Sequence, residues 1–416
     1  MLINYISFAP LNGGLIRTGL ALLFVVLLVV RPSSLQAEIK FEWDGFGSFG
    51  IGVLDDNSIN ESNSFPHNSF DEDLKARIDT RLGIQGNVTF ENDISLTLQV
   101  VTYGHEDMDT DMEWAYLAYD LNQNIKLRIG RLRRPLYASS DFLPVGYVYV
   151  WARPPLEVYP NDLAVFDSLD AIDLLFRNTL GMWDLTTEVY YGGSSDRVVL
   201  ALGEEGDFRT RRDIGVILEM QKDWLKMRLG YHHSAEMDVD TSSALAQLYA
   251  SLESAGFGNL VNEMETQDMY GDFYNLATTI DYDNWLLSME LVRINTGGGL
   301  TSDEESGYVM GGRRIGPWTL HFTYAERQRK IDRNFAQPVF DLAAIVGPPA
   351  NAGLLALANG VVVAEKSNIL EFHSYTLGLR YDFAQPISIK TEYQHIIDKK
   401  NDLTNNLVSV VVDFLF

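Results

Sequence analysis

Apolar and polar side chains alternate with period two along almost the whole chain beyond residue 38, and this pattern limits the folds open to it. In the segment 94–102, isoleucine, leucine and valine alternate with serine, threonine and glutamine. Because successive side chains of a strand point to opposite faces, each such segment predicts a β-strand with one apolar and one polar face. The pattern recurs in about 16 segments, so the sequence predicts an all-β fold.

The connections between these segments alternate between short and long. Short turns such as Lys222-Asp223 and Tyr282-Asp283 separate the two strands of each predicted hairpin. The long connections lie near 55–72, 105–110, 133–165, 193–208, 234–267, 296–304, 330–367 and 399–404. Short turns at one end and long loops at the other are typical of a transmembrane antiparallel β-barrel.

An even number of strands allows such a barrel to close without an unpaired edge in the hydrocarbon of a membrane. Its apolar face then contacts lipid, and its polar face lines a water-filled lumen. We predict strands near 39–53, 74–90, 94–102, 111–121, 124–132, 166–177, 182–192, 209–221, 224–233, 268–281, 284–295, 305–313, 317–329, 368–383, 387–398 and 405–416.

Four tryptophans support the membrane assignment independently. Trp183, Trp224, Trp285 and Trp318 each begin a predicted strand directly after a short turn. All but Trp224 share the parity of the apolar face, which places them at one height on the outer wall. An aromatic girdle at a lipid interface has this arrangement.

The first residues predict export. Residues 1–37 contain no Asp, Glu or Lys, and an arginine precedes the apolar run Gly19–Val30. We therefore predict a cleaved signal peptide over 1–37, with cleavage after Ala37, and a single barrel domain over 38–416. An uncleaved N-terminal anchor is the alternative. No other segment approaches the roughly 18 uncharged apolar residues of a membrane-spanning helix, which excludes a helical membrane protein.

Composition excludes two further classes. The chain has 57 Asp and Glu against 32 Lys and Arg, so it lacks the basic character of a general nucleic-acid binder. It has no cysteine, so no disulfide framework stabilises the exported chain. His232-His233 has no further ligands at metal spacing, and we predict neither a metal nor a cofactor.

Two segments resemble those of Gram-negative outer-membrane porins. The segment Val-Val-Val-Asp-Phe-Leu-Phe, with Phe416 last, is similar to the aromatic signal that the barrel-assembly machinery recognises. The segment Ile129-Gly130-Arg131-Leu132-Arg133-Arg134-Pro135 resembles the Gly-Arg-x-Arg-x-Pro segment of porins, including the branch with phosphate-selective and related anion-preferring members. The resemblance implies a 16-stranded barrel in the outer-membrane lipid, a homotrimer, and passive diffusion of small hydrophilic solutes. It also implies that the connection after residue 133 folds into the barrel and narrows it.

A channel selects by width and by the charges at its narrowest point, so charged residues on the polar faces are the candidate site. We expect a positive ring and a negative wall across the constriction, with a transverse field between them. The alternative is that these charges neutralise each other on adjacent strands, and Arg131 shares parity with the outer face unless the backbone bulges at Gly130. The ring comprises Arg77, Arg81, Lys126, Arg128, Arg131, Arg133 and Arg134, extended by Arg228, Arg327, Arg329 and Arg380; the wall comprises Asp141, Glu157, Asp162, Asp167, Asp170 and Asp173.

Two loops leave alternatives open. The loop 133–163 is rich in aromatic residues and proline, which suggests a solute-specific channel for an aromatic, sugar or anionic solute rather than a general porin. The apolar loop 330–367 caps the mouth, plugs the lumen or packs against a neighbouring subunit, and 241–255 predicts a short loop helix. A barrel-embedded enzyme needs a paired Ser or Asp and His, and the sequence offers no such pair.

Overall fold

The computed structural model describes residues 39–56, 58, 70–91, 93–104, 108–160, 166–200, 204–331 and 333–416. The predicted signal peptide and Asp162 lie outside these ranges. No helix in the described ranges has the length and apolar character needed to cross a membrane.

The described ranges hold sixteen antiparallel strands that form one closed barrel, in which each strand pairs with its neighbours in sequence and β1 pairs with β16. The predicted fold class is therefore confirmed. The strands are β1 (Lys40–Leu54), β2 (Arg81–Thr89), β3 (Ile94–Tyr103), β4 (Asp109–Asn122), β5 (Ile125–Arg133), β6 (Ser168–Leu180), β7 (Trp183–Val199), β8 (Glu205–Lys222), β9 (Leu225–Val239), β10 (Met269–Tyr282), β11 (Trp285–Gly297), β12 (Asp303–Ile315), β13 (Trp318–Lys330), β14 (Leu370–Ala384), β15 (Ile387–Asp398) and β16 (Leu403–Leu415).

Several predicted strand ends were wrong by three residues or more. β2 begins at Arg81 and not near residue 74, because the segment 74–80 forms an irregular turn in which Thr80 N–H donates to the carbonyl of Arg77. Ile78 in that turn packs against an apolar cluster, so its parity did not report a strand. β7 and β8 extend through most of the predicted loop 193–208, and β6 continues to Leu180, through the predicted turn.

The outer wall is apolar over the height of the barrel. On β16, Val408 is exposed, whereas Leu407 and Val411 are buried on the lumen side. The predicted aromatic girdle follows the short turns, where Trp224 packs on Tyr282 with ring centroids 5.9 Å apart. Other aromatic residues exposed near the short turns are Trp43, Trp285, Trp318, Phe383 and Phe416. A wall that exposes so much apolar area is matched to lipid rather than water.

Residue Phe416 takes part in closing the barrel. Its N–H donates to the Gly45 carbonyl at 2.9 Å, and the Gly45 N–H donates to the Phe416 carbonyl at 2.7 Å. A Cβ at Gly45 would lie 2.3 Å from the Phe416 ring, so glycine permits the ring to lie flat on β1. The aromatic residue thus covers the seam between the first and last strands.

Four helices in the described parts of the long connections form an external cap. They are α1 (Ser243–Ser254) and α2 (Gly258–Met264) between β9 and β10, and α3 (Gln337–Val346) and α4 (Ala352–Ser367) between β13 and β14. The helix predicted over 241–255 is α1. The two helical connections share one apolar cluster, which includes Leu252, Met264, Val339 and Val361. The loop 330–367 therefore packs first against another loop of its own barrel.

Candidate pore constriction

The inserted loop, residues 134–160 of the connection between β5 and β6, is buried within the barrel for much of its length. Short 3-10 turns at Ser140–Phe142 and Gly146–Val148 fold it back on itself. Prolines 154 and 155 remove two backbone donors that a buried segment would otherwise have to satisfy. The structure thus confirms that this connection enters the lumen, as the resemblance implied.

Charged residues of the wall bind the backbone of the inserted loop. Arg380 on β14 donates to the carbonyls of Tyr147 and Tyr149, each at 2.8 Å. The Lys390 ammonium on β15 donates to the Gly146 carbonyl at 2.7 Å and lies 2.8 Å from the Asp413 carboxylate. Because these charges satisfy buried backbone groups, they fix the path of the loop.

Carboxylates bind the loop in the complementary way. Glu392 on β15 accepts from the Ala152 N–H at 2.8 Å, and Glu290 on β11 accepts from the Ala138 N–H at 2.8 Å. Glu290 also accepts from the Tyr159 hydroxyl. Neither Glu290 nor Glu392 was among the candidate site residues predicted from the sequence, although both lie on polar faces. Their role depends on which distant loop reaches them.

The aromatic residues of the inserted loop pack into the wall. Trp151 donates its indole N–H to the Thr323 hydroxyl at 2.9 Å and meets the Tyr308 ring edge-on at 5.4 Å. Tyr137 and Tyr159 are also buried, in one cluster with residues of β10–β13. The loop aromatics that suggested the alternative of a solute-specific channel are therefore buried at Tyr137, Tyr149, Trp151 and Tyr159, and their burial anchors the loop.

Arg128 on β5 is the centre of a charge network on the lumen wall. Its guanidinium lies 2.5 Å from Asp173 on β6 and 2.8 Å from Glu188 on β7. The guanidinium is also 5.8 Å from the centroid of the Tyr116 ring. One cation therefore faces two carboxylates on neighbouring strands, and Arg128 does not present an unpaired positive charge to the lumen.

The next two arginines of the segment are buried and paired. Arg133 lies 2.9 Å from Glu113 and 3.1 Å from Asp167. Arg134, the first residue of the inserted loop, lies 2.8 Å from Asp213 on β8. Both guanidiniums are almost completely buried, so they hold the base of the loop and do not form an open ring.

Candidate cations on other strands are paired as well. Arg228 lies 2.9 Å from Glu219, and it also donates to the carbonyl of Pro135. Arg327 binds Glu304 at 2.8 and 2.9 Å, and Arg329 binds the same carboxylate. The expected transverse field between a cationic wall and an anionic loop is thus replaced by pairing along the wall.

Of the remaining candidate cations, Arg81 and Lys126 have partners in the lumen. Arg77 and Arg131 do not belong to the Arg128 charge network. Arg81 donates to the hydroxyls of Tyr149 and Ser48, and Lys126 lies 3.3 Å from Asp120. The structure places Arg77 in the exposed turn before β2, because that segment is not a strand. Arg131 donates to Ser168 at 2.8 Å and lies 3.7 Å from Asp196, so its partners are not those of Arg128.

The candidate acidic wall is divided. Asp173 is buried against Arg128, but Asp170 is exposed and differs from it in parity. On the inserted loop, Asp141 is exposed and interacts electrostatically with Arg128 and Glu188. Asp141 is therefore the loop carboxylate in the described ranges that faces the Arg128 network.

Glu157 has a different environment. Its side chain is 0% exposed, and the described residues donate no hydrogen bond to either of its carboxylate oxygens. Burial raises the pKa of the Glu157 carboxyl above its ordinary value, while the nearby Ser374 hydroxyl and Arg327 oppose this shift. Glu157 thus sits between the loop and β13–β14, away from the lumen solvent.

Histidines lie in the wall without a metal site. Among the described residues, no group of three or more His, Cys, Asp or Glu is arranged to hold a metal ion. His232 shares a 2.6 Å hydrogen bond with Tyr190, and His233 lies 2.9 Å from Asp272. His321 is buried 3.4 Å from Glu392, beside Trp151.

Comparison with known proteins identifies the fold. No protein-family model matches the chain, and no curated protein matches its sequence. The outer membrane channel DcaP of Acinetobacter baumannii is similar in structure, with a TM-score of 0.56 and 11% identity, over 91% of this chain and 97% of that one. An anion-selective porin from Comamonas acidovorans is similar with a TM-score of 0.55 and 11% identity, over 91% of this chain and 100% of that one. The outer-membrane expressed OmpT of Vibrio cholerae is similar with a TM-score of 0.52 and 10% identity, over 91% of this chain and 98% of that one. The resemblance to porins is confirmed at the level of the fold.

Proposed function

We propose that this barrel of porin fold is an outer-membrane channel through which small hydrophilic solutes diffuse passively, past a constriction formed by the inserted loop. The observation that carries the proposal is the insertion itself. Wall residues from β9 to β15 bind the loop, including Arg228, Glu290, Arg380 and Lys390. A barrel that served only as an anchor has no need for such a bound segment in its lumen.

The outer wall supports a location in the outer membrane. Its exposed apolar rows end in aromatic residues at the short-turn side, and Phe416 covers the strand seam there. We propose that the barrel-assembly machinery recognises Phe416, after a signal peptide over 1–37 has directed export. Outer-membrane lipid is then the partner of the apolar wall.

We also propose a homotrimer. β2, β3 and β5 have only 9, 10 and 9 residues, whereas β7 and β8 have 17 and 18, so the wall is low on one side. Contact with other subunits on the low side would shield it from lipid along its full height. We propose no catalytic step and no cofactor for the protein.

Reconstitution into a planar bilayer tests the proposed function. The purified chain is expected to give large, ohmic current steps, grouped in threes for a trimer. The sign of the reversal potential under a salt gradient then reports which charges govern the constriction. Protein that is demonstrably β-rich and heat-modifiable, yet gives no steps, would contradict a channel.

A further inference from the structure

The lumen wall of β2, β3 and β4 differs chemically from the wall that binds the inserted loop. The strand register aligns Gln85, Gln99 and Trp114 in one row across these strands. The next row on the same side aligns Asn87, Thr97 and Tyr116. None of these six residues, called here the neutral patch, carries a charge.

The amide and hydroxyl groups of the neutral patch are held in place by bonds across the strands. Gln99 Nε2 donates to Gln85 Oε1 at 2.9 Å, and Thr97 Oγ1 donates to Asn87 Oδ1 at 2.9 Å. Gln99 Oε1 is buried and accepts no hydrogen bond from the described residues, whereas Gln85 and Asn87 are half-buried and carry the amide groups that a solute in the lumen can reach.

Two aromatic rings adjoin these amides on β4. Trp114 and Tyr116 lie edge-to-face with centroids 5.9 Å apart, and both are only partly buried. Tyr116 is aligned with Gly130 on β5, where φ is +138° and a Cβ would lie 2.3 Å from the Ala115 carbonyl oxygen. Glycine is therefore required there, and no side chain from that position covers the Tyr116 ring.

The charged groups beside the neutral patch do not make it positive. Arg128 lies over Tyr116, but Asp173 and Glu188 accept its hydrogen bonds. On β1 the two rows continue to acidic residues, with Asp44 opposite Gln85 and Glu42 opposite Asn87. The patch therefore combines aromatic faces and fixed amides with an acidic border. Small-molecule sites commonly combine apolar and aromatic surface with a few oriented polar groups, and hydroxyl-rich rings present both C–H faces and hydrogen-bonding groups.

We propose that the neutral patch is a binding subsite for uncharged sugars, and that the channel favours them over anionic solutes of equal size. This inference rests on the proposed channel function and names its solute class. Trp114 would pack on one face of the sugar ring, and Gln85 and Asn87 would bond its hydroxyl groups. Binding would be weak, because a solute in transit must also leave.

Single-channel recording with glucose and maltotriose as probes tests the inference. Each sugar is expected to interrupt the current in a saturable way, and the anion glucuronate is expected to do so less. An aromatic contact contributes about 1 kcal/mol, so Trp114→Ala should weaken maltotriose binding about fivefold. Trp114→Phe should retain most of the binding, and Trp285→Ala on the outer wall is the matched control.

The possible results distinguish failure of the sugar subsite from failure of the proposed channel function. Current steps that persist in every variant, with no sugar-dependent interruption in the wild type, would overturn the sugar subsite and leave the channel intact. Equal binding in Trp114→Ala and wild type would overturn it as well. Absence of current altogether would count against the channel. If Trp114→Ala fails to assemble, Gln85→Leu on β2, in the same row of the neutral patch, provides the same measurement.

Discussion

The inserted loop and the external cap are both made from long connections, but polar bonds to distant strands distinguish the loop from the cap. Besides the burial of its aromatic side chains, the inserted loop is fixed by charged and hydroxyl groups of distant strands, such as Lys390 on Gly146 and Thr323 on Trp151. The cap is fixed by apolar side chains of its own helices, such as Leu252 and Val361. The barrel therefore adds directional polar bonds to burial where it positions a segment in its lumen, and it relies on non-directional burial for the cap.

This difference predicts that the two regions can be disrupted separately. Trp151→Ala should have the largest effect, because it removes a buried indole and its hydrogen bond, and truncation of a buried tryptophan costs about 3–5 kcal/mol. We expect the inserted loop to detach in part, which gives larger and noisier current steps. Single-channel recording measures the change, and limited proteolysis within 134–160 reports detachment.

The outer-wall substitution Trp285→Ala is the control, since Trp285 is 55% exposed and does not touch the loop. Unchanged conductance in Trp151→Ala would mean that the loop does not set the width of the channel. The distinction between the two regions would then rest on structure without a functional consequence.

Leu252→Ala probes the cap and should have the next largest effect. Leu252 is completely buried in the helical cluster, and truncation of such a leucine costs about 2–5 kcal/mol. We expect faster proteolysis within α3 and α4, while the heat-modifiable barrel and the size of the current steps remain unchanged. A change in step size comparable to that of Trp151→Ala would show that the cap also governs flow and would remove the contrast.

The alternation of side chains predicts most of the barrel because each strand obeys a local rule. All sixteen predicted strands are present, and the errors lie at strand ends, as at the start of β2, where Ile78 packs without strand geometry. The segregation of short turns and long loops and the aromatic girdle could also be predicted from the sequence. These features depend on neighbours in sequence and on the membrane, which act alike on every hairpin.

The site was less predictable because it depends on register and on distant contacts. Several of the candidate arginines lie on the lumen side of the strands, but their pairing with carboxylates follows from strand alignment, as for Arg128 and Asp173. The anchor of Trp151 is Thr323, 172 residues away in sequence. No local pattern indicates such a contact, so the loop aromatics suggested the alternative of a solute-specific channel and gave no sign of packing into the wall.

Glu157→Gln tests whether a buried carboxyl weakens the anchorage of the inserted loop. Burial raises the pKa of Glu157, so its contribution to loop docking is complete below its ordinary pKa and is lost as the pH rises through the elevated value. The variant should remove this pH dependence and stabilise docking at neutral pH by about 1–3 kcal/mol. Current noise measured from acidic to alkaline pH checks the expectation, with the exposed Asp341→Asn of the cap as control. Wild-type noise that does not change with pH would contradict it.

Asp141→Asn should have the smallest effect and addresses the lumen side of the inserted loop. Arg128 already faces the two carboxylates of Asp173 and Glu188, so Asp141 adds a further negative charge to a network in which carboxylates already outnumber the cation. Its removal should shift the reversal potential slightly toward anions, by less than about 1 kcal/mol in preference, and less at high salt because Asp141 is exposed. Glu305→Gln, on the outer row of β12, is the control of equal charge. A shift toward cations, or an equal shift in both variants, would mean that Asp141 does not face the permeating ion. The inserted loop would then narrow the channel sterically, and its selectivity would come from the wall alone.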